Sequence, residues 1–299
     1  MNEYEFFTLE GGALAPEPIE VFAYPMGDVT VRRTTGTDLS PGVQGLWVHT
    51  PCPDWSVVFN WASLTGGAAR RVLVMPYLPS ARGDKDTPSP ARTNARLAAL
   101  SGITDIITVD PHSPVWLDAM SAANPAIGRW ELDLATIVSD AVRDRGPYQG
   151  VIGPDAGSKG RAALVAGKLG LPVFIAAKSR DQATGKLKGY TAPDGVLSGR
   201  FLVMDDICDG GGTFALLRQA IPAQVSLDLW VTHGGFTGPG HSRDVLAGYQ
   251  CVYTTDSLSS ARGHHIQTTD LTPYVTQTVR RILANPEGTL NEEVKPPIR

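Results

Sequence analysis

Seven short apolar runs recur along the chain: LWVHT at 46–50, RVLVMPY at 71–77, DIITVD at 105–110, GVIGPD at 150–155, PVFIAA at 172–177, RFLVMDD at 200–206 and LDLWVTH at 227–233. A strand with one face in water alternates apolar and polar residues, whereas a strand covered on both faces reads as a continuous apolar run. Runs of this length, separated by amphipathic stretches, predict parallel sheets with helices on both sides. The expected fold class is α/β.

The helices between the runs have their own signals. In ARTNARLAALSG, Leu97 and Leu100 fall on one expected buried face, and SKGRAALVAGKLG ends in a glycine suited to cap a helix C-terminus. RVLVMPY and RFLVMDD look alike, and each opens a loop of charged or glycine residues, which suggests two related halves. With 299 residues, 42% hydrophobic and 19% charged, the chain can bury a core in each half. The segment DRGPYQG at 144–150 interrupts helical pattern before a new buried strand, so the boundary is placed near residue 146. The last dozen residues, with Pro286, Pro296 and Pro297, read as a polar tail.

Charge and cysteine content exclude several function classes. The net charge is −4, from 26 basic and 30 acidic residues, and no cationic stripe stands ready for a phosphate backbone, so nucleic acid is not an expected partner. Cys52, Cys208 and Cys251 are odd in number and form no CxxC pair. They are expected to be reduced thiols of a cytoplasmic protein. The acidic start MNEYEFFTLE lacks the pattern of a signal peptide, and no stretch reaches the ~20 apolar residues of a membrane span.

The segment richest in chemistry is FLVMDDICDGGGTF at 201–214. An apolar strand delivers Asp205 and Asp206 at its carboxyl end. Asp209, Gly210, Gly211, Gly212 and Thr213 then form a loop before a helix expected to begin near Phe214. Three glycines let backbone N–H groups approach an anion closely, and the helix N-terminus adds its positive dipole end. The paired carboxylates can accept hydrogen bonds from the vicinal hydroxyls of a ribose whose phosphate the loop holds.

This segment resembles the phosphoribosyl pyrophosphate (PRPP) loop of phosphoribosyltransferases and PRPP synthetases. The resemblance to the synthetases, the ribose-phosphate pyrophosphokinases, extends over most of the chain. MPYLPSARGDKD at 75–86 is similar to their ATP-contacting segment and TVDPHSPVW at 108–116 to their metal and nucleotide loop. GPDAGSKGRA at 153–162 is similar to their Pro-Asp-Ala-Gly segment, KSR at 178–180 to their flexible catalytic loop, and VTHGGFTGPGHSR at 231–243 to their Thr-His-Gly segment. The resemblance implies two phosphoribosyltransferase-like domains, each a mostly parallel sheet flanked by helices. Residues 1–146 would form the ATP-binding half and 147–299 the sugar-phosphate half.

Roles follow from the same resemblance. His112 and Asp155 would hold Mg2+, with ATP phosphates and water completing its octahedron. Arg82, with Asp84 or Lys85, and His112 would contact ATP. Asp28, in YPMGDV at 24–29, falls where the family contacts adenine from a neighbouring subunit, which implies a homo-oligomer. Lys178 and Arg180 would neutralise charge on the transferred group, although the family's usual Lys-Arg-Arg reads Lys178, Ser179, Arg180 here. The implied reaction moves pyrophosphate from ATP to O1 of ribose 5-phosphate. One departure bears on the acceptor: the family's Asp-Thr-Ala-Gly-Thr loop is here Asp-Gly-Gly-Gly-Thr, a roomier loop that admits ADP-ribose as an alternative. A phosphoribosyltransferase and a non-catalytic regulator of a true synthetase are the other readings.

Overall fold

All seven apolar runs contain strands. The structure, a computed structural model, describes residues 3–34, 36, 38–180, 187–195, 198–237, 246–258 and 266–284, with the side chains of 179, 180, 187 and 188 excepted. It divides into two compact units, Met1–Leu132 with Leu271–Arg299, and Asp133–Asp270.

In the first unit the chain runs β1 (Tyr4–Glu10), β2 (Ala13–Pro16), β3 (Ile19–Ala23), β4 (Val29–Arg33), β5 (Val43–Val48), α1 (Trp55–Leu64), β6 (Arg70–Val74), α2 (Pro90–Leu100), β7 (Asp105–Thr108), α3 (Val115–Ala123) and β8 (Gly128–Glu131). The sheet order is β2-β1-β5-β6-β7-β8, and β3 and β4 pair as a separate hairpin. β5 through β8 are parallel, in registers such as Leu46 opposite Leu73 and Val74 opposite Ile107. Every residue of β5 is buried, as expected for a strand covered on both faces. Leu46, Leu73 and Ile106 join Trp61 of α1 and Trp116 of α3 in one core.

The second unit contains α4 (Leu134–Val142), β9 (Gly150–Gly153), α5 (Lys159–Leu169), β10 (Val173–Ile175), β11 (Ala177–Arg180), β12 (Leu187–Thr191), β13 (Arg200–Cys208), α6 (Gly212–Ala220), β14 (Ser226–Gly234), β15 (Val252–Thr255) and β16 (Ile266–Thr269). Its sheet is parallel throughout, in the order β10-β9-β13-β14-β15-β16, and β11 and β12 pair as an antiparallel ribbon. The last helix, α7 (Thr272–Ala284), belongs to the first unit, where it packs on β1, β2 and β6 through a buried stripe of Val275, Val279 and Ile282.

The two look-alike runs both lie inside their sheets: β6 is flanked by β5 and β7, and β13 by β9 and β14. Each therefore delivers its carboxyl end to the middle of a sheet, where open α/β sheets place ligands.

Two expectations need correction. The buried face of α2 is Ala91, Ala95, Ala98 and Ala99, with Leu97 only half-buried and Leu100 exposed. Small side chains let this helix pack closely on α3, so size and not hydrophobicity alone decided the face. The units also change after Leu132 instead of near residue 146. α4 buries Leu134, Ile137, Val138 and Val142 and packs on α5. The Gly-Pro segment behind it is folded: Tyr148 is buried with its hydroxyl donating to Asp228 at 2.7 Å, and the Gln149 N–H donates to the Arg200 carbonyl at 2.7 Å. Apolar burial outweighed glycine and proline punctuation. α6 starts at Gly212, near Phe214 as expected. The expected C-terminal tail lies outside the described residues.

Gly170 closes α5 in the left-handed conformation, φ 68°, as its position after an apolar helix predicts. Among the described residues, no helix is long and apolar enough to cross a membrane.

Candidate functional site

The carboxyl end of β13 holds the two adjacent acids. Asp206 is buried and Asp205 half-buried, and one arginine serves both. Arg161, on the first turn of α5, places Nη1 3.2 Å from Asp205 Oδ1 and Nη2 3.3 Å from Asp206 Oδ2. Asp205 Oδ1 also accepts from the Asp206 N–H at 3.1 Å. Burial and the neighbouring Asp206 charge raise the Asp205 pKa to about 8, against the opposing pull of Arg161. The two carboxyl groups form a desolvated acidic edge whose guanidinium partner fixes their geometry.

The next residues make the loop. Asp209 and Gly210 are exposed, and Gly211 is the N-cap of α6 with φ 77°, a conformation that favours glycine. The first helical bonds are those from the Phe214 and Ala215 N–H groups to the Gly211 carbonyl. The N–H groups of Gly212 and Thr213 precede them and lack intrahelical acceptors, which leaves donors for an anion. A methyl group placed at Gly210 or Gly212 meets no atom within 4 Å, so the space above the loop is open. The loop is braced from behind: the Gly235 and Phe236 N–H groups donate to the Cys208 carbonyl at 2.9 and 3.0 Å, and the Thr237 hydroxyl donates to Asp209. Cys208 is buried, and burial pushes its thiol up to about 12, so it is no nucleophile.

A third segment of the second unit meets this edge. After β9, Asp155 caps a short 3-10 turn, Ala156–Ser158, where Oδ1 accepts from the Gly157 and Ser158 N–H groups at 2.8 and 3.2 Å. Its Oδ2 pairs with Lys178 of β11. Partial burial alone would raise the Asp155 pKa, but Lys178 and the two N–H groups outweigh it, and the carboxyl is held below its usual value. Lys178 is correspondingly raised, since Asp155 outweighs its own partial burial. Opposite Lys178 in the ribbon stands Tyr190, buried, with a hydroxyl that faces Thr213.

The second unit thus brings together Asp155, Lys178, Asp205, Asp206, Asp209, Gly210, Gly211, Gly212 and Thr213. Arg180 ends β11, and its side chain lies outside the described residues, as does 238–243 of the Thr-His-Gly segment. Three members were missed in the sequence: Arg161, Tyr190 and Thr237. Arg161 stood inside GPDAGSKGRA, and its place on the first turn of a helix beside a double-acid strand was the available signal. Thr237 stood inside VTHGGFTGPGHSR, and no local pattern pointed to Tyr190.

The remaining candidates belong to the first unit. Arg82 is exposed on a 3-10 turn, Ala81–Gly83, followed by half-buried Asp84 and exposed Lys85. Ser80, before that turn, has φ 56°, and Asp110, at the end of β7, has φ 43° and is buried. Such left-handed non-glycine residues are strained and concentrate at functional loops. His112, two residues beyond Asp110, is exposed. Asp28 is exposed in the turn between β3 and β4, beside Met26 at 95% exposure, and its carbonyl accepts from the Tyr24 N–H at 2.7 Å. Among the described residues, no group of three or more His, Cys, Asp and Glu forms a metal-holding cluster.

No family model matches the chain. Relatives by sequence are ribose-phosphate pyrophosphokinases. That of Cereibacter sphaeroides is 27% identical over 64% of this chain and 58% of its own length. That of Granulibacter bethesdensis is 28% identical over 74% and 73%, and that of Corynebacterium glutamicum is 27% identical over 93% of each. Among solved structures, phosphoribosylpyrophosphate synthetase from Mycobacterium smegmatis superposes with a TM-score of 0.67 at 23% identity, covering 91% of this chain and 92% of that one. The fold is that of a two-domain, phosphoribosyltransferase-type protein.

Proposed function

We propose that this divergent relative of the ribose-phosphate pyrophosphokinases is an enzyme that transfers the β,γ-pyrophosphoryl group of ATP to the anomeric O1 of ribose 5-phosphate, giving PRPP and AMP. The observation that carries the reading is the meeting, at one sheet edge, of the Arg161-clamped acids Asp205 and Asp206 with the open glycine loop at the start of α6. Acids suit the ribose hydroxyls and the loop suits the phosphate, so one sugar phosphate spans both.

Positioning and charge stabilisation account for catalysis of this type, with no covalent intermediate on the protein. O1 attacks the β-phosphorus in line and AMP leaves. Lys178, charged throughout the neutral range, balances charge growing on the transferred group, and Arg180 joins it by resemblance. Arg82, Asp84, Lys85 and His112 would serve ATP in the first unit. Asp28 would reach the adenine of a neighbouring subunit, which makes the working protein a homo-oligomer.

Mg2+ fits the donor chemistry. Asp155 offers an anionic hard oxygen of the kind Mg2+ takes, and phosphates and water would fill the other positions. The ion would neutralise phosphate charge.

A second acceptor, ADP-ribose, is favoured by the empty space above Gly210 and Gly212. A 5′-diphosphate is bulkier than a monoester, and a loop without side chains leaves room for it.

Purified protein incubated with ATP, Mg2+ and either ribose 5-phosphate or ADP-ribose, with products identified by mass, tests the reading. Formation of AMP with a pyrophosphorylated sugar is expected. Absence of AMP with both acceptors rules the reading out.

A further inference from the structure

Tyr190 has no place in the mechanism above, yet its surroundings are unusual for a core tyrosine. It is 8% exposed, and its hydroxyl oxygen is buried without a hydrogen-bond partner. Buried hydroxyls are nearly always satisfied, and an orphan of this kind calls for a physical account. The groups that act on it electrically are all members of the candidate site: burial raises its pKa, Thr213 and Lys178 pull it down, and Asp155 and Asp205 push it up. Tyr190 stands directly opposite Lys178 in the β11–β12 ribbon, so both side chains leave the same face. That ribbon is held against the sugar-phosphate helix, because β12 packs on α6 and Tyr190 belongs to the same core as Phe214 and Leu217.

We propose that Tyr190 is a positioning residue for the acceptor: when the acceptor binds, its hydroxyl, unpaired in this structure, donates to the Thr213 hydroxyl and so fixes that side chain in the orientation that presents its O–H to the acceptor's 5′-phosphate. Thr213 sits on the first turn of α6, where the N–H donors converge on the same group. A threonine hydroxyl rotates among acceptors; one that accepts from Tyr190 is obliged to donate elsewhere, and the phosphate is the acceptor in front of it. The ring of Tyr190 keeps the strand that carries Lys178 seated on α6 while this happens. The proposal rests on the functional reading above, because it takes a phosphorylated ribose as the ligand of the α6 loop.

The test is Tyr190→Phe, which removes one oxygen and keeps the ring. A purely structural tyrosine with an orphaned hydroxyl gains stability or stays neutral on this change, and its kinetics stay the same. The proposal expects the KM for the sugar-phosphate acceptor to rise about 3- to 10-fold, the scale of one hydrogen bond. The KM for ATP and the melting temperature should hold. Thr213→Val should raise the acceptor KM as well, and Tyr190→Phe added to Thr213→Val should change it no further, since the tyrosine acts through the threonine. An unchanged acceptor KM in Tyr190→Phe, an equal rise in the KM for ATP, or additive effects in the double variant would each overturn the proposal. If the wild type forms no AMP, calorimetric titration with ribose 5-phosphate and with ADP-ribose replaces the kinetics. Weaker binding to Tyr190→Phe than to wild type then supports the positioning role while the pyrophosphokinase reading fails, and equal binding, or none to the wild type, overturns the positioning role too.

Discussion

The Lys178 ammonium pairs with the Asp155 carboxylate, tying the ribbon that carries one candidate catalytic residue to the turn that carries a candidate metal ligand. Each holds the other in its charged form. Asp155 has its pKa lowered, so its contribution to stability is present above the unfolded carboxylate value of about 3.9 and is lost as the pH falls through its lower folded value. Lys178 has its pKa raised, so its contribution is present below about 10.4 and is lost only as the pH climbs past its folded value. The melting-temperature difference between wild type and Lys178→Ala should stay level from pH 5 to pH 9 and shrink below pH 4. The same variant should slow turnover by roughly 100-fold, corresponding to a lost transition-state contact of ~3 kcal/mol. A near-normal kcat would remove Lys178 from the catalytic role.

Asp205 behaves in the opposite sense. Its folded pKa, about 8, lies above the unfolded value, so its contribution to stability is complete at pH 4 and is lost as the pH rises through 8. Asp205→Asn, which cannot ionise, should therefore gain on the wild type steadily between pH 4 and pH 8. Thermal melts across that range read the effect, and a constant difference would show that the acid is already ionised at low pH.

Arg161 is what makes the acidic pair tolerable. Arg161→Met should destabilise the protein at pH 8 by about 3 kcal/mol, because it strands two desolvated carboxyl groups beside each other. At pH 5, where protonation relieves the repulsion, the loss should be smaller. Urea unfolding at the two pH values measures both.

Much of this arrangement could be read from the sequence, and the omissions have one physical origin. Continuous runs such as RFLVMDD announce themselves because a strand covered on both faces is mostly apolar, and the loop from Asp209 to Thr213 announces itself by three glycines, of which Gly211 takes a left-handed φ that favours glycine. The antiparallel pairs β1–β2, β3–β4 and β11–β12 were not foreseen, since their half-exposed residues carry no continuous apolar signal. α2 was misjudged because its leucines were weighted by hydrophobicity when close packing favoured its alanines. Arg161 and Tyr190 contribute through partners 44 and 23 residues away in sequence, a relationship that folding creates and local pattern does not record.

A buried cluster in the first unit offers a test of stability apart from the site. Asp105, fully buried at the start of β7, accepts from Arg70 at 2.7 Å, from the Trp130 ring N–H at 2.9 Å and from the Thr104 hydroxyl at 2.7 Å. Asp105→Ala leaves the guanidinium and the indole without their acceptor and should cost about 3–5 kcal/mol. A loss under 1 kcal/mol would show that the cluster relaxes onto water.

The glycine loop is where acceptor choice should be decided, and its three glycines are not equivalent. Gly211 has φ 77°, so Gly211→Ala forces a side chain into the left-handed region and should cost roughly 1–2 kcal/mol. Gly210 has no such φ, and a methyl group there meets nothing within 4 Å, so Gly210→Thr should fold as the wild type does. What the new side chain would meet, on the proposed reading, is the acceptor. A threonine at 210 restores the hydroxyl found in the family's usual loop, adding a donor for a 5′-phosphate monoester and filling space that a 5′-diphosphate would need. The preference for ribose 5-phosphate over ADP-ribose should shift by ~1 to 3 kcal/mol in relative kcat/KM, the scale of one hydrogen bond or one methyl-sized clash. Asp205→Ala and Asp206→Ala should instead depress both reactions alike, because the ribose hydroxyls they would hold are common to both acceptors. Competition between the two acceptors, run on wild type and Gly210→Thr, measures the ratio directly. An unchanged ratio in a variant that melts like the wild type places acceptor selectivity outside the loop.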